Sequence, residues 1–128
     1  MNSIYSQNIE AHTWKNRVLL VFTDDLNNPL YQNQIIELQG HENELKARKL
    51  IVYQIQKSAY KLGLSKKNDW QKSTLKQEAY KKSEAAFEIL LIGLDGGIKL
   101  RETNLITCEA LFSVIDVMPM RKSEMRDK

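Results

Sequence analysis

The sequence predicts an α/β fold in which helices pack on a mixed sheet, and three observations support this prediction. Residues 17–23 (RVLLVFT) and 50–55 (LIVYQI) are largely apolar on both alternating faces, which is typical of buried central strands. A helical apolar repeat lies between them, and a strand–helix–strand unit forces a parallel pairing with a right-handed crossover. Residues 87–102 (FEILLIGLDGGIKLRE) contain two apolar runs separated by Asp95-Gly96, which indicates a β-hairpin.

The first helix follows from its capping residues. Residues 1–16 are polar and are expected to form a lead-in over the surface. After the first strand, Asn28 precedes Pro29, which suits an N-cap followed by proline at the first helical position. Gly40 interrupts the pattern at a cost of about 1 kcal/mol relative to alanine. The helix then carries an apolar stripe at helical spacing, formed by Tyr31, Ile35, Leu38 and Leu45.

The remaining elements differ in how clearly the sequence specifies them. Residues 57–67 predict a loop or a short helix, and a weakly amphipathic helix is expected from Asn68 or Asp69 to about Ser83. The Asp-Gly pair predicts a type I′ turn, with positive φ at both central residues. Thr107 is expected to cap a last helix, which ends before Pro119 because a residue preceding proline avoids the α region.

These elements give the order β-α-β-(α)-β-β-α, with central parallel strands, a C-terminal hairpin and a closing helix. This order is the thioredoxin-like arrangement. We predict a single thioredoxin-like domain over residues 17–120, preceded by the lead-in at 1–16 and followed by a charged tail at 121–128.

Composition excludes several classes of protein. The one cysteine among 128 residues rules out an internal disulfide and a Cys-x-x-Cys couple. No apolar run approaches the roughly 20 residues of a membrane helix. The N-terminus lacks the features of a signal peptide, so a cytoplasmic location is expected unless a leader was removed. The net charge of +3 comes from residues 57–84, which contain eight lysines and three acidic residues.

Three stretches resemble one known family. They are WKNRVLLVF (14–22), FEILLIGLDGGIKLR (87–101) and LFSVIDVMPMRKSEMR (111–126). They resemble the P-DUDES family, small bacterial proteins with a domain of unknown function that are related to the repeated domain of animal sushi-repeat and coiled-coil matrix proteins. The resemblance implies a thioredoxin-like fold that is related to the fold of peroxiredoxins. It implies no established activity. The chain departs from the family in the lysine-rich segment and in lacking the secretion signal that many relatives carry.

The loop after the first strand is where a thioredoxin-like enzyme holds its nucleophile, since a helix N-terminus stabilises a thiolate. Here the loop contains no cysteine, and Thr23 is its one hydroxyl. Asp24 and Asp25 are candidates to bind a cation or a basic ligand. The interpretation we favour is that they cap the turn.

Cys108 lies in the first turn of the predicted last helix, where a lowered thiol pKa would give reactivity. It has no second cysteine as partner, so we favour a buried free cysteine. His12 and His41 show no metal-ligand spacing and are predicted to be surface residues. No metal site and no cofactor are predicted.

Two basic sets are candidate binding surfaces. Lys99 and Arg101, with Arg121, could bind a carboxylate or a phosphate, although charges on an edge strand also deter pairing with other chains. The lysine-rich segment suggests single-stranded nucleic acid, because it interleaves basic residues with the aromatic residues Tyr60, Trp70 and Tyr80. We favour solvated helix faces instead, because the net charge is small and lysine gives little base readout.

The function that we expect is a non-catalytic binding or interaction module on a degenerate thioredoxin-like scaffold, whose partner is an unknown protein or a small anionic ligand. The first alternative is a peroxiredoxin-related enzyme that uses Cys108 as a lone peroxidatic thiol and is reduced by an external partner. The second is nucleic-acid binding through residues 57–84.

Overall fold

The computed structural model describes residues 11–56, 59–65, 70–72 and 85–126. In this part of the chain six strands form one mixed sheet. The strands are β1 (Arg17–Thr23), β2 (Leu50–Gln56), β3 (Ala59–Leu62), β4 (Gln71–Lys72), β5 (Phe87–Ile92) and β6 (Ile98–Glu102). The helices within the same residues are α1 (Pro29–Gln39), α2 (Glu42–Ala47), α3 (Cys108–Asp116) and α4 (Pro119–Arg126).

The strand order in the sheet is β4-β3-β2-β1-β5-β6. β1 and β2 are parallel, whereas every other pairing in this order is antiparallel. The predicted α/β class is therefore confirmed, and so are the parallel β1–β2 pair, the β5–β6 hairpin and the helix that follows it. The first residues of β1 lie beside the last residues of β5, so both belong to the same end of the sheet.

Side chains of the central strands form a separate apolar cluster on each face of the sheet. On one face Leu19 and Leu91 pack with residues of α1, α2 and α3, among them Leu38 and Leu111. On the other face the described cluster consists of strand residues, such as Leu20 and Tyr53. β1 and β5 are buried along their whole length, as the absence of a polar face predicted.

The caps of α1 and α3 are those that the sequence predicted. Asn28 Oδ1 accepts a hydrogen bond from the Leu30 N–H at 2.9 Å, and Thr107 Oγ1 accepts one from the Ala110 N–H at 3.2 Å. Gly40 ends α1, and α2 begins two residues later, so the predicted apolar stripe is divided between two helices. Tyr31, Leu38 and Leu45 from that stripe are nevertheless buried.

Two segments differ from the sequence prediction. Within residues 57–67 the structure contains a strand, β3, and Gln71–Lys72 of the predicted second helix form β4; residues 73–83 of that helix lie outside the described residues. Tyr60 explains the first difference, because it pairs with Ile55 of β2 and is buried there. Residues 119–126, which include most of the predicted charged tail, form α4.

The hairpin is present, but its turn is not of type I′. Gly96 has a positive φ of 83°, whereas Asp95 does not adopt a positive φ. The Gly96 N–H donates to the Gly93 carbonyl at 3.0 Å, and the Gly93 N–H donates to Gly97 at 2.8 Å. This is a three-residue loop with glycine in the left-handed position. Asp95 Oδ1 accepts the Gly97 N–H at 2.9 Å, so its side chain supports the turn in place of its backbone.

None of the helices in the described residues is long and apolar enough to cross a membrane.

Candidate functional site

The loop after β1 is held together by its own polar groups. The Thr23 hydroxyl donates to the Asp25 carbonyl oxygen at 2.7 Å, and Asp25 Oδ1 accepts the Asn27 N–H at 2.9 Å. The Asp24 N–H donates to the Ala86 carbonyl at 2.9 Å, which joins the loop to the start of β5. Thr23 is buried, while Asp24 and Asp25 are exposed. Thr23 and Asp25 therefore act as turn residues here.

Cys108 is the first residue of α3 and is fully buried. Its N–H donates to Glu37 Oε2 at 2.7 Å, and its thiol lies 3.6 Å from the Glu37 carbonyl oxygen. Burial, followed by the nearby Glu37 carboxylate, raises the pKa of the thiol from 9.0 to about 12. The helix N-terminus would lower this pKa. Desolvation and the like charge outweigh that effect.

The position of Cys108 also separates it from the loop after β1. Glu37 lies eight residues after Pro29 in the same helix, which corresponds to about 12 Å along the helix axis. The thiol therefore packs against the late part of α1, whereas the loop meets the first turn.

Both histidines, predicted to be surface residues, are partly exposed and also contact the fold. His12 is half-buried, and its Nε2 lies 2.9 Å from the Tyr53 hydroxyl. His41 is half-buried, and its Nδ1 lies 3.0 Å from the Glu37 carbonyl oxygen. Glu37, His41 and Cys108 bring a carboxylate, an imidazole and a thiol within 4.8 Å of one another. The hydrogen bonds of this group join the end of α1 to the start of α3.

The three predicted basic residues each pair with a carboxylate. Lys99 Nζ lies 3.1 Å from Asp95, on the same hairpin. Arg101 forms an ion pair at 3.0 Å with Glu88, whose side chain is fully buried. Arg121 was predicted to lie in the charged tail, but it is buried in α4 and pairs with other carboxylates. The structure therefore does not bring the three residues together as one exposed anion site.

The described part of the lysine-rich segment does not present a row of stacking aromatic residues. Tyr60 is 8% exposed and packs against Tyr53, with 6.2 Å between the ring centroids. Lys61 Nζ lies 5.7 Å from the centroid of the Trp70 ring. Tyr80 lies outside the described residues. Because the Tyr60 ring is buried in the core, it is not available to stack on a nucleic-acid base.

Sequence reasoning named Arg121 but missed the group of charged side chains to which it belongs. This group lies at the amino end of β1, and we call it the arginine cluster: Arg17, Arg48, Arg121, Asp116 and Glu124. Arg17 pairs with Glu124 at 3.2 Å, and Arg48 pairs with Asp116 at 2.8 Å. Arg121 joins the two pairs, since it lies 3.2 Å from Asp116 and 3.4 Å from Glu124. The cluster connects β1, the start of β2, α3 and α4.

Backbone carbonyls complete much of the hydrogen bonding in the arginine cluster. Arg17 donates to the Arg48 carbonyl at 2.8 Å, and Arg121 donates to the Ala47 carbonyl at 3.0 Å. The Arg48 guanidinium also lies 4.0 Å above the centre of the Phe112 ring. Burial raises the pKa of Asp116, but hydrogen bonds from Arg48 and Arg121 outweigh burial and hold the pKa below its usual value.

One donor in this cluster has no acceptor in the part of the chain that the structure describes. Arg17 is 1% exposed, and its Nε is buried without a hydrogen-bond partner among the residues that the structure describes. Arg17 also lines a cavity of about 330 Å³, which we call the Arg17 cavity. The other lining residues come from the β5–β6 turn and the α3–α4 junction: Gly93, Leu94, Asp95, Lys99, Met118, Pro119 and Met120.

A second cavity of similar volume lies between α1 and strands β2 and β3. Two of its polar side chains, Tyr31 and Gln54, are joined by a hydrogen bond. The Tyr31 hydroxyl donates to Gln54 Oε1, and Gln54 Nε2 donates to the Gly63 carbonyl at 2.7 Å. Burial raises the pKa of Tyr31 to about 12, so it stays protonated at neutral pH. Tyr31 and Gln54 are therefore satisfied, whereas Arg17, which lines the Arg17 cavity, has an Nε without an acceptor among the described residues.

A family model described as a domain of unknown function, DUF4174, matches residues 8–124. The chain belongs to this family. No curated protein and no solved structure matches the chain significantly. The match covers both ends of the sheet, including the loop after β1 and the Arg17 cavity. Since the DUF4174 description states no activity, the function of this domain has to be argued from its own side chains.

The arginine cluster of this DUF4174 domain had a weak signal in the sequence. Arg17 is a charged residue directly before a run of apolar strand residues, and Arg121 follows the Pro119 that ends the last predicted helix. The two residues that pair most distantly, Arg17 and Glu124, are 107 positions apart. No local spacing pattern can connect residues so distant in sequence. The cluster becomes visible when the fold brings β1 and α4 together.

Proposed function

We propose that this chain is a non-catalytic binding module on a thioredoxin-like scaffold. The strand–helix–strand unit that ends in β2, the β5–β6 hairpin and the helix α3 support the scaffold assignment. In this interpretation β3 and β4 are an extension of the sheet beyond β2. Fold alone does not confer an activity, so the proposal depends on the state of the sites.

The observation that carries the proposal is the environment of Cys108. Thiol catalysis requires an accessible thiolate. Cys108 is fully buried, and with a pKa of about 12 the thiolate fraction at pH 7 is on the order of 10⁻⁵. The loop after β1 contains no cysteine, and its Thr23 hydroxyl is hydrogen-bonded within the turn. Neither position offers the nucleophile of a peroxiredoxin-related enzyme.

A peroxide-consumption assay on the wild type and on Cys108→Ala tests the proposal. With dithiothreitol as the reductant, we expect the two proteins to consume hydrogen peroxide at the same background rate. A rate in the wild type that Cys108→Ala loses would show that the protein is a thiol enzyme, and the proposal would be wrong.

Labelling with a chromogenic disulfide reagent gives a second readout and a positive control. Because burial keeps Cys108 protonated and covered, the wild type should be labelled slowly at pH 8 and completely after unfolding in guanidinium. The control is Ser113→Cys in the Cys108→Ala background, because Ser113 is exposed on the same helix. This variant should be labelled quickly in the folded state. Equal labelling rates for the two folded proteins would contradict the burial of Cys108.

A further inference from the structure

The Arg17 cavity carries a more specific inference, which rests on the proposed binding function. We propose that this cavity binds a small organic anion, a carboxylate or a phosphate monoester with a short apolar body, and that Arg17 and the first turn of α4 hold the anionic group. Four properties of the cavity lead to this assignment.

The first property is the surplus of guanidinium groups over carboxylates in the arginine cluster, whose member Arg17 lines the cavity. The arginine cluster contains three guanidinium groups and two carboxylates, Asp116 and Glu124. At the cavity itself Lys99 and Asp95 pair with each other at 3.1 Å, so they leave this balance unchanged. Buried charges in proteins are normally compensated by partners. A bound anion would compensate the third guanidinium.

The second property is the free donor on Arg17. The hydrogen bonds that Arg17 donates to Arg48 and Glu124 both use the same terminal nitrogen, Nη1. Its Nε–H remains buried without an acceptor among the described residues. A buried donor without a partner is destabilising, and the planar guanidinium suits the oxygens of a carboxylate or a phosphate. An anion in the adjacent cavity would supply the missing acceptor.

The third property is the start of a helix at the cavity. Pro119 and Met120, the first two residues of α4, belong to the cavity lining. The first intrahelical hydrogen bond joins the Lys122 N–H to the Met118 carbonyl, so the N–H groups of Met120 and Arg121 precede it. Such N–H groups and the positive end of the helix dipole favour an anion. This effect acts together with Arg17 and does not carry the proposal alone.

The fourth property is the apolar remainder of the lining. Leu94, Met118, Pro119 and Met120 provide most of it. The volume of about 330 Å³ lies near the lower limit of small-molecule sites. The cavity therefore fits an anion with a short apolar body better than it fits a bare inorganic ion.

Binding of defined probes tests the inference. We suggest hexanoate and phenyl phosphate as the two anionic probes, with hexanamide and inorganic phosphate as controls, each added to the full chain in thermal-shift and calorimetric titrations. At least one anionic probe should bind saturably and raise the melting temperature, while hexanamide should not. The two anionic probes distinguish a carboxylate from a phosphate ligand. Equal binding of hexanamide, or no saturable binding of either anion, would overturn the proposal.

A pair of matched variants locates the site. Met120→Glu places a carboxylate at the cavity, where it would repel an anion, and an acidic residue in the first turn of α4 does not disfavour the helix. Met125→Glu makes the same change on the same helix, at a residue outside the cavity lining. We expect Met120→Glu to weaken binding about tenfold or more, and Met125→Glu to change it less than about twofold. Equal effects of the two variants would place the anion elsewhere and contradict the assignment.

Arg17→Lys tests the donor itself, because it keeps the charge and removes the planar fork. Anion binding should be lost or strongly weakened. Unchanged anion binding in a folded Arg17→Lys variant would show that the Arg17 guanidinium does not hold the anion. The outcome is separable from that of the peroxide assay, since anion binding should persist in Cys108→Ala. If the protein binds no anion and Cys108 is unreactive, the anion site is wrong but the proposed non-catalytic function is not contradicted. A peroxidase activity that depends on Cys108 removes the proposed function, whatever the anions do.

Discussion

At the scale of the residue, Gln34 shows how a polar side chain is accommodated in the core. Its side chain is fully buried on α1. Its Nε2 donates to the Ile106 carbonyl at 3.0 Å, and its Oε1 accepts the Ile106 N–H at 2.8 Å. The amide thus pairs with a backbone segment as a neighbouring strand would. Because both groups are satisfied, burial of Gln34 holds the segment before α3 against α1.

Gln34→Ala should lower the free energy of unfolding by about 2–3 kcal/mol, because it leaves the Ile106 N–H and carbonyl without partners near the core. Denaturant titration measures this change. Gln32→Ala is the matched control on the same helix: Gln32 is exposed and donates one hydrogen bond, to the Leu26 carbonyl at 3.1 Å. Its effect should stay within about 0.5 kcal/mol. Similar losses for both variants would contradict the role assigned to Gln34.

At the scale of the element, the β5–β6 hairpin shows which part of a turn a local sequence specifies. Asp95-Gly96 correctly predicted that the chain reverses here. The turn type depends on how the two strands pair, and the structure contains a register shift at Leu91 and Ile92. This shift accompanies a longer loop in which the left-handed position belongs to Gly96 and the Asp95 side chain binds Gly97 and Lys99.

Gly96→Ala should lower the free energy of unfolding by about 1 kcal/mol, since an L-residue is disfavoured at a φ of 83°. The nearest atom to an added Cβ is Thr13 Oγ1 at 3.5 Å, so the cost comes from the backbone and not from a clash. Gly40→Ala is the control, because Gly40 has a φ of −72° and its nearest contact is also 3.5 Å. It should be neutral or stabilising by up to about 1 kcal/mol. Thermal unfolding of both variants checks this, and a neutral Gly96→Ala would refute the turn geometry.

At the scale of the whole molecule, the arginine cluster joins the two ends of the chain's described core. Arg17 begins β1, Arg48 precedes β2, Asp116 ends α3, and Arg121 and Glu124 lie on α4. The segment predicted as a charged tail is therefore held to the sheet by ion pairs that are mostly buried. These pairs also place the start of α4 at the Arg17 cavity.

Asp116 makes this connection dependent on pH. Its pKa is lower in the folded than in the unfolded protein, so its stabilisation is complete above the unfolded value near 3.8 and is lost as the pH falls through the folded value. Asp116→Asn should therefore melt at a lower temperature than the wild type at pH 7, and this difference should shrink as the pH is lowered from about 5 to about 2. Melting curves across that range measure it.

Asp24→Asn is the control for this pH dependence. Asp24 is exposed, and no ion pair with another described residue involves it. The melting temperature of Asp24→Asn should differ little from that of the wild type at every pH from 7 to 2. A difference between Asp116→Asn and the wild type that stays constant from pH 7 to pH 2 would show that the Asp116 charge does not stabilise the fold.

The sequence by itself determined the elements whose signals are local. Apolar content of β1 and β5, the caps Asn28 and Thr107, and the Asp-Gly reversal all act within a few residues, so they could be recognised in the linear chain. The absence of a nucleophile after β1 was equally visible. These signals were sufficient to predict the α/β class. They also indicated that the loop after β1 contains no cysteine for thiol chemistry.

Tertiary structure alone decided the features that depend on contacts between distant residues. β3 forms because β2 offers an edge on which Tyr60 is buried, although its own sequence is only weakly strand-like. The pKa of Cys108 rises because Glu37 and the core surround it, against the local effect of the helix start. The Arg17 cavity exists because β1, the hairpin turn and α4 meet. Burial and Coulomb interactions depend on distance in space, and the fold sets those distances.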